Sequence, residues 1–386
     1  MEPMRIPENS RHRPELADIA IELAARAAGF RRSLPDGVLT ALADLVRAMN
    51  CYYSNLIEGH DTHPVDIERA LENDYSANPD KRNLQLEAKA HIAVQQWIDK
   101  GGLRGRATSV EGVREIHQRF CALLPDDLLW SENPDSGERM PIVPGAPRER
   151  EVRVGDHIAV SPGALPRFLQ HFERTYRDLG KAETILAAAA AHHRLLWMHP
   201  FLDGNGRVAR LMSHSMLLEA LDTGGVWSVA RGFARNVRSY KRHLAECDLP
   251  RRNDLDGRGN LSEENLASFT RFFLETCLDQ VNFMEELMQP DQLRKRILLW
   301  VEDEIRASAL PRKSGRILEA ILYRGKLPRS DIAELLDASQ RHSRRIVSSL
   351  IERGVIVSES TRAPLRLAFP ARLASRWMPG LFPERR

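Results

Sequence analysis

Cysteine is scarce in this sequence, and its few cysteines lie far apart. Among 386 residues they are Cys51, Cys121, Cys247 and Cys277, and no two of them form a CxxC pair. A zinc ribbon or a disulfide framework needs closely spaced pairs, so the spacing argues against both. Unpaired cysteines suit a reducing compartment, and we therefore expect a cytoplasmic protein.

Long hydrophobic runs are lacking as well. The longest candidate, residues 185–191, is followed at once by His192 and His193. It is far shorter than the roughly 18 apolar residues that indicate a membrane span. The N-terminal residues mix both charge signs without an apolar stretch, unlike a secretory signal. We therefore expect no membrane partner.

Acidic residues are scarce near the end of the chain, so the small net charge of +3 is unevenly distributed. Residues 312–386 contain sixteen Lys and Arg against seven Asp and Glu, a balance of +9, which leaves −6 for residues 1–311. Concentrated positive charge favours a nucleic-acid partner but is not specific to one.

The sequence is otherwise typical of a mostly helical protein. Apolar residues recur three and four positions apart over most of its length, as in Leu39, Leu42, Leu45, Val46 and Met49. This periodicity predicts helices over residues 14–28, 36–57, 64–72, 83–99, 109–123, 164–179, 182–198, 206–221, 236–247, 262–288 and 291–307.

Three stretches before residue 160 break the helical pattern. Residues 101–106 (GGLRGR) predict a loop between helices. Residues 131–150 hold four prolines and two glycines and predict an irregular loop. Within residues 151–160, β-branched residues alternate around Gly155-Asp156, which predicts a small β-hairpin. We therefore predict an all-α fold with one small hairpin.

The basic tail has its own pattern. Short helices are predicted over residues 314–323, 330–337 and 341–353, and two apolar segments around a polar turn follow them. This order is typical of a winged helix-turn-helix. The third helix exposes four basic side chains suited to phosphate contacts: Arg341, His342, Arg344 and Arg345. Winged helices also dock proteins, so DNA and protein both stay open as partners of the tail.

The segment that carries chemistry is HPFLDGNGRVAR, residues 199–210. One helix is predicted to end near Met198 and the next to begin at about Gly206, with a tight loop between them. Glycines let the backbone approach a phosphate closely, and the N–H groups at a helix start hold negative oxygen atoms. Arg207 and Arg210, three residues apart, reach the same side. The segment therefore predicts an anion site.

Two further residues of this segment suit phosphate chemistry. Asp203 supplies a hard oxygen ligand where Mg²⁺ bridges phosphates. His199, directly before the loop, is able to accept a proton from an incoming hydroxyl group.

Other interpretations of the segment fit less well. An EF-hand fails because a cation, Arg207, occupies the fifth position of the loop. A zinc site from His192, His193 and His199 lacks a carboxylate or cysteine partner at a suitable spacing. The chain has no GxxxxGK(S/T) segment, which excludes a P-loop enzyme.

Residues 199–210 resemble the signature of the Fic family, HxFx(D/E)GNGRxxR, at every fixed position. The similarity extends over roughly residues 36–285. It implies an all-α bundle with a β-hairpin flap over the site. It also implies an activity: transfer of AMP from ATP, with Mg²⁺, to a hydroxyl side chain of another protein.

The resemblance also implies a role for each matching residue. His199 would be the general base that deprotonates the Ser, Thr or Tyr hydroxyl of the target. Asp203 would hold Mg²⁺ against the α- and β-phosphates. The other phosphate ligands would be Gly204, Asn205 and Gly206 as an anion hole, Arg207 on the β-phosphate and Arg210 on the γ-phosphate.

Two other features resemble parts of the family. The hairpin residues Val152, Arg153, Val154 and Gly155 resemble the flap, which pairs with the target backbone as an added strand; a surface hairpin without a role is the alternative. Tyr240 resembles the adenine-pocket tyrosine. The family often has two adjacent tyrosines and a later asparagine, whereas this chain has Ser239 before Tyr240 and then Cys247.

An upstream segment, SNLIEG at residues 54–59, closes the helix predicted over residues 36–57. Ser54 and Glu58 are four residues apart and share a helix face. Gly59 makes this an ordinary helix end. The segment also resembles the (S/T)xxxE(G/N) inhibitory motif of Fic proteins. By that resemblance, Glu58 would pair with Arg210 and keep it from the γ-phosphate.

These observations give one expectation of domains and two of function. We expect an N-terminal helical region with the inhibitory helix (1–110), a Fic catalytic core (111–288), a linking helix (289–311) and a winged helix-turn-helix (312–386). The expected function is protein adenylyltransferase, with self-modification and a homodimer as further expectations. The alternative is a DNA-binding regulator whose Fic core senses nucleotide without transferring it. Some Fic relatives transfer other phosphate-containing groups or remove AMP.

Overall fold

The computed structural model describes residues 1–132 and 137–383 and is mostly helical. Strands occur among these residues only as three short antiparallel pairs, so the predicted all-α class with a small hairpin is confirmed. The helices are α1 (Arg13–Ser33), α2 (Asp36–Ile57), α3 (Pro64–Leu71), α4 (Pro79–Asp99), α5 (Val110–Cys121), α6 (Leu165–Tyr176), α7 (Lys181–Met198), α8 (Asn205–Leu221), α9 (Val229–Arg235), α10 (Val237–Glu246), α11 (Glu263–Leu287), α12 (Pro290–Arg306), α13 (Ser314–Arg324), α14 (Ile332–Leu336), α15 (Gln340–Glu352) and α16 (Ala374–Trp377). The strand pairs are β1 (Trp130–Glu132) with β2 (Arg139–Pro141), β3 (Arg153–Val154) with β4 (His157–Ile158), and β5 (Ile356–Val357) with β6 (Arg366–Leu367).

The predicted helices are present, with differences at their ends. Helix α4 begins earlier than predicted because the side chain of Asn78 accepts a hydrogen bond from the backbone N–H of Lys81 and caps the helix. Helix α9 was not predicted, since seven residues are too few to show a helical period. The loop predicted over residues 101–106 and the hairpin within residues 151–160 are both confirmed.

The irregular loop predicted over residues 131–150 is wrong in part. Trp130 pairs with Pro141, and Glu132 pairs with Arg139, so β1 and β2 form a second hairpin. Each strand has only three residues, too few to show alternation. Pro141 is tolerated at the strand end, where no ladder donor is needed. Residues 133–136 of that predicted loop lie outside the described residues.

The chain divides into two compact units. The first contains residues 1–28, 50–223 and 228–280, and the second contains residues 29–49, 224–227 and 281–386. The predicted boundaries after residues 110, 288 and 311 describe a different division of the chain, and they stay predictions.

In the first unit, helix α7 packs against both α8 and α6. Alanines fill residues 187–191 of α7, and all of them are buried. Their small side chains let neighbouring helices approach closely, because no bulk separates the backbones. The loop between α7 and α8, residues 199–204, is therefore held between the ends of two buried helices.

The second unit contains the basic tail. Helix α12 packs against α13 and α16, with Trp300 and Trp377 edge to face at 5.3 Å. Helices α13, α14 and α15 are followed by the β5–β6 hairpin. The side chain of Ser339 caps α15 by accepting a hydrogen bond from the His342 N–H. Among the described residues, no helix has the length and apolarity needed to cross a membrane.

Candidate active site

The loop between α7 and α8 has left-handed backbone at both ends. His199 ends α7 with φ 47° and ψ 63°, and Gly204 precedes α8 with φ 80°. A non-glycine residue in this region costs roughly 1–3 kcal/mol and is common at functional sites. The contacts around the loop must therefore offset the strain at His199.

Asn205 and Phe201 supply such contacts. The Asn205 side chain accepts a hydrogen bond from the Phe201 N–H at 3.0 Å and donates one to the Phe201 carbonyl at 2.8 Å. The Phe201 ring is fully buried and stacks on His117 at 3.9 Å. Burial of one such ring contributes roughly 1.5–3 kcal/mol. These contacts fix the loop from within.

The start of α8 offers backbone donors. The first hydrogen bond of this helix runs from the Val208 N–H to the Gly204 carbonyl at 3.0 Å. The helix itself therefore leaves the N–H groups of Asn205, Gly206 and Arg207 unused. Three such groups with the positive end of a helix dipole form an anion site.

A carboxylate already lies at this site. A methyl group on Gly206 would lie 2.2 Å from Oε1 of Glu58, so that oxygen packs against the first turn of α8. Nη2 of Arg210 donates to the same oxygen at 2.5 Å. Burial alone would raise the pKa of Glu58, but the Arg210 guanidinium, with Arg207 and Lys241, outweighs burial and lowers it. Glu58 is therefore ionised at neutral pH.

Ser54 completes the surroundings of Arg210. Its hydroxyl accepts from Nε of Arg210 at 2.8 Å, and its carbonyl accepts from Nη2 at 3.1 Å. The Arg210 side chain is 3% exposed and that of Glu58 is 34% exposed. The structure thus brings together Ser54, Glu58 and Arg210, the three residues of the predicted inhibitory contact.

Arg207 has different partners, and the sequence did not predict them. Its Nη2 donates to Glu87 at 2.8 Å, and its guanidinium lies 5.2 Å from the centre of the Phe120 ring. Glu87 also lies 2.8 Å from Nδ1 of His60. The hydrogen bond to Glu87 raises the pKa of His60 against the effect of burial. Nε of Arg207 is buried and has no partner within the described residues.

His199 is half-buried, and burial lowers the pKa of its imidazole to about 4, with Arg148 contributing in the same direction. The ring is therefore neutral at physiological pH and free to accept a proton. This property is the first requirement of a general base.

Arg148 connects His199 to the β3–β4 hairpin, and sequence reasoning missed it. It is 3% exposed and donates to the carbonyls of His199 at 2.7 Å and Met198 at 3.3 Å. It also donates to the carbonyls of Arg150 at 2.7 Å and Val160 at 2.5 Å. One side chain therefore holds both the end of α7 and the base of the hairpin.

The hairpin itself is exposed. Arg153, Val154 and Gly155 are exposed and Val152 is half-buried. Nε2 of His157 lies 2.8 Å from the Trp197 carbonyl and anchors β4 to α7. Within residues 1–132 and 137–383, strand β3 pairs with β4 alone.

Asp203 is exposed at the tip of the loop. Its backbone carbonyl is hydrogen-bonded to His117, whose Nδ1 accepts from the Gly145 N–H at 2.9 Å. The described residues contain no group of three potential metal ligands. Mg²⁺ is commonly held by one carboxylate together with substrate phosphates and water, so a lone Asp203 shortly before the N–H groups that begin α8 is a donor of the type that ion takes.

Tyr240 lies next to Arg210 in the protein interior, shielded from water. Its ring is 2% exposed and stacks on Phe233 at 4.4 Å. Its hydroxyl interacts electrostatically with Arg210 and lies 2.7 Å from Nε2 of His192. His193, one of the other histidines considered for zinc, is hydrogen-bonded to Asp248 at 3.0 Å.

Comparison with known proteins agrees with the motif. The model of the Fic/DOC family matches residues 107–217, a narrower range than the predicted similarity. The protein adenylyltransferase Fic of Drosophila melanogaster is 40% identical over 171 residues, which cover 44% of this chain and 32% of that protein. The protein of the same name from Nematostella vectensis is 28% identical over 198 residues, 49% of this chain and 42% of its own length. This chain spans less than half the length of these curated relatives.

Solved structures share the fold. The crystal structure of a Fic family protein from Desulfovibrio desulfuricans G20 superposes with a TM-score of 0.54 over 94% of this chain and 98% of its own, at 15% identity. A Fic domain containing signaling protein from Bacteroides thetaiotaomicron gives 0.50 over 69% of this chain and 97% of its own, at 18% identity. At these identities the likeness concerns the fold alone. Within that fold, residues 107–217 of this chain are the part that resembles the Fic/DOC family.

Proposed function

We propose that this protein transfers AMP from ATP to a hydroxyl side chain of a protein, and that Glu58 inhibits the transfer. One observation carries the proposal. An anionic oxygen, that of Glu58, rests on the first turn of α8 and on Arg210, and the neutral imidazole of His199 belongs to the residue that opens the loop leading into that turn. A carboxylate in that position stands in for a phosphate oxygen, because both are anions that accept hydrogen bonds.

The reaction follows from these positions. The phosphates of ATP lie on the N–H groups of Asn205, Gly206 and the residue after them, with Gly204 giving the close approach. Arg207 and Arg210 contact the β- and γ-phosphates. His199 accepts the proton of the target hydroxyl, whose oxygen attacks the α-phosphorus. The bond between the α-phosphorus and the pyrophosphate oxygen breaks, and pyrophosphate leaves.

Asp203 holds Mg²⁺ in this proposal. When bound, the ion would supply positive charge to balance the phosphates, in a reaction that is mainly a matter of positioning and electrostatics. On the protein side, the Asn205 and His117 contacts keep the Asp203 loop in place. Tyr240 contributes to the nucleotide site through its interaction with Arg210.

Inhibition is electrostatic in this proposal. Glu58 occupies the guanidinium group that the γ-phosphate requires, so ATP binds with its α-phosphate poorly aligned for attack. The pair is strong because a charge-assisted hydrogen bond joins it. Since a third of the Glu58 side chain is exposed, the carboxylate is able to move into solvent without rearrangement of the core.

The β3–β4 hairpin docks the target. The unpaired edge of β3 adds a strand from the target, and backbone hydrogen bonds position that strand without reading its side chains. The residues for this are Val152, Arg153, Val154 and Gly155, and the Arg148 contacts join the base of their hairpin to the end of α7.

The test compares Glu58→Gly with a matched control. Each variant is incubated with ATP, Mg²⁺ and casein as a generic hydroxyl-bearing protein, and intact masses are measured. Glu58→Gly is expected to gain AMP-sized additions on itself or on casein. Glu72→Gly is the control, since Glu72 likewise follows the end of a helix directly and is exposed. No adduct on any protein in either variant contradicts the transferase proposal.

A second candidate function rests on α15. Arg341, Arg344 and Arg345 are exposed there and form no ion pair with the described residues. We propose that α13–α15 and the β5–β6 hairpin are a winged helix-turn-helix that binds DNA. The regulator alternative combines this with a Fic core that senses nucleotide. Fluorescence anisotropy with labelled duplex DNA tests it. DNA binding that responds to ATP, together with no covalent adduct in Glu58→Gly, favours the regulator.

A further inference from the structure

We propose that Tyr240 and His192 are positioning residues for Arg210, acting through a buried chain of hydrogen bonds with one fixed direction. This inference rests on the proposed function only in that it takes the γ-phosphate as the ligand of Arg210. It assigns to Tyr240 a role other than the adenine contact, and it assigns to His192 a role where the sequence suggested none.

The chain of contacts is continuous. The Tyr240 hydroxyl faces the Arg210 guanidinium and interacts with it electrostatically. The same hydroxyl lies 2.7 Å from Nε2 of His192, and Nδ1 of His192 lies 2.8 Å from Oγ of Ser213. The Ser213 hydroxyl donates to the carbonyl of Ala209 at 2.8 Å.

The two ends of the chain fix the direction of every bond. The Ala209 carbonyl is only an acceptor, and a guanidinium is only a donor. Because Ser213 donates its single proton to that carbonyl, it must accept from Nδ1–H of His192. Nε2 of His192 then carries no proton and accepts from the Tyr240 hydroxyl, whose lone pairs are left facing the Arg210 guanidinium.

Burial keeps this arrangement in place. Tyr240, His192 and Ser213 are 2%, 0% and 0% exposed, so water does not replace a lost partner. The His192 ring lies among aromatic rings, including Phe233 and Phe273. Burial lowers the pKa of His192 to about 3, and the neutral ring keeps Nε2 as an acceptor. An unsatisfied group in such a place costs free energy, which favours the complete chain.

The consequence concerns the two sets of anchors around Arg210. Ser54 and Glu58 belong to one short segment, and the Tyr240 hydroxyl belongs to another helix. When Glu58 withdraws, Tyr240 still orients the guanidinium. Arg210 is therefore ready for the γ-phosphate without a new conformation.

ATP and ADP separate this role from an adenine contact, because only ATP has a γ-phosphate. Tyr240→Phe keeps the ring on Phe233 and removes only the hydroxyl. In the Glu58→Gly background, we expect Tyr240→Phe to weaken ATP binding roughly tenfold, as for a lost hydrogen bond to a charged group. We expect ADP binding to change less than about twofold, since Arg210 does not reach it. Isothermal titration calorimetry measures both.

Tyr176→Phe is the matched control. Tyr176 is also buried, and its hydroxyl donates to the Met4 carbonyl, away from Arg210. This variant should bind ATP and ADP like its parent. Equal weakening of ATP and ADP by Tyr240→Phe would instead support the adenine contact and overturn the proposal, as would no weakening of either.

Nitrogen-15 NMR of the histidine rings gives a second readout that needs no variant at Tyr240. The signal of His192 is assigned by its loss in His192→Gln. We expect the Nδ1–H tautomer without titration down to pH 5, and an Nε2–H tautomer would overturn the direction of the chain. The outcome is independent of the transferase proposal, because nucleotide binding and the tautomer are measured whether or not AMP is transferred.

Discussion

Two regions of this molecule concentrate arginine in opposite physical settings. Arg210 is 3% exposed, is hydrogen-bonded to Ser54 and Glu58, and faces the Tyr240 hydroxyl. Arg344 is exposed on α15 and forms no ion pair with the described residues. A buried charge attracts more strongly than one in water, and its fixed partners select one ligand geometry. An exposed charge attracts any polyanion and is screened by salt. Single substitutions should therefore have large effects in the first region and small effects in the second.

The largest effect is expected at the imidazole of His199. In the Glu58→Gly background, His199→Ala should reduce AMP transfer by about 10²–10⁴-fold, since general-base catalysis contributes that much. ATP binding should be retained, because in the proposed reaction the phosphates bind to α8 and the arginines. Intact mass measures the first quantity and calorimetry the second. Undiminished transfer would remove His199 from its role.

A substitution at Gly206 tests how closely the Glu58 carboxylate approaches the first turn of α8. Gly206→Ala places a methyl group 2.2 Å from Oε1 of Glu58. The variant should lose about 1–3 kcal/mol of unfolding free energy, as expected for overpacking. Most of this loss should disappear when Glu58→Gly is added, because the two residues are in contact. Urea denaturation, monitored by circular dichroism, gives the unfolding free energies of the parent, the two single variants and the double variant.

Gly29→Ala is the control for that cycle. Gly29 lies in α1, and a methyl group there meets nothing within 4 Å. This variant should be as stable as the parent or more so. Additive losses for Gly206→Ala and Glu58→Gly would contradict the close approach.

The pH dependence of transfer distinguishes a buried His199 from an ordinary one. Burial lowers its pKa to about 4, so the imidazole stays neutral and active as pH falls toward that value. At pH 5.5 the Glu58→Gly variant should keep most of its neutral-pH kcat/KM. A histidine with the usual pKa near 6.5 would keep only about a tenth. Values of kcat/KM measured between pH 5 and 8 distinguish the two cases. A loss of activity on the acid side with a midpoint near pH 6.5 would contradict the burial argument.

The smallest effect is expected on α15. Arg344→Ala should lower the slope of log affinity for DNA against log salt by about 1, the value for one lost phosphate contact. Arg306→Ala is the control, because Arg306 is 73% exposed but is paired with Glu302. Neither variant should change AMP transfer. No measurable affinity of the parent for duplex DNA would contradict the DNA-binding proposal for the tail.

The sequence was sufficient for the fold class, for most helices and for the segment from His199 to Arg210. Periodicity and a motif of consecutive residues are local signals, so they are recognisable in the sequence alone. Strands β1 and β2 and helix α9 were not predicted, because they are too short to show a period.

The missed site residues share a different cause. Glu87 contacts Arg207 across 120 residues of sequence, and Arg148 contacts His199 across 51. Tertiary packing determines such contacts, and a lone polar residue in an amphipathic helix or a proline-rich loop carries no local sign of them. Tyr240 was expected in an adenine pocket by resemblance to the family, but its interaction with Arg210 and its hydrogen bond to His192 required the structure.

Arg148 has a consequence for which target residues are modified. Its guanidinium donates to the carbonyl of His199 and to carbonyls at the base of the hairpin, so one side chain ties the backbone of His199 to the hairpin that contains β3. Side chains of an added strand alternate between its two faces. Under the proposed docking, neighbouring hydroxyls in a target, such as those of a Ser-Thr pair, are therefore not equivalent. The residue whose side chain faces the imidazole is modified, and the next one points away.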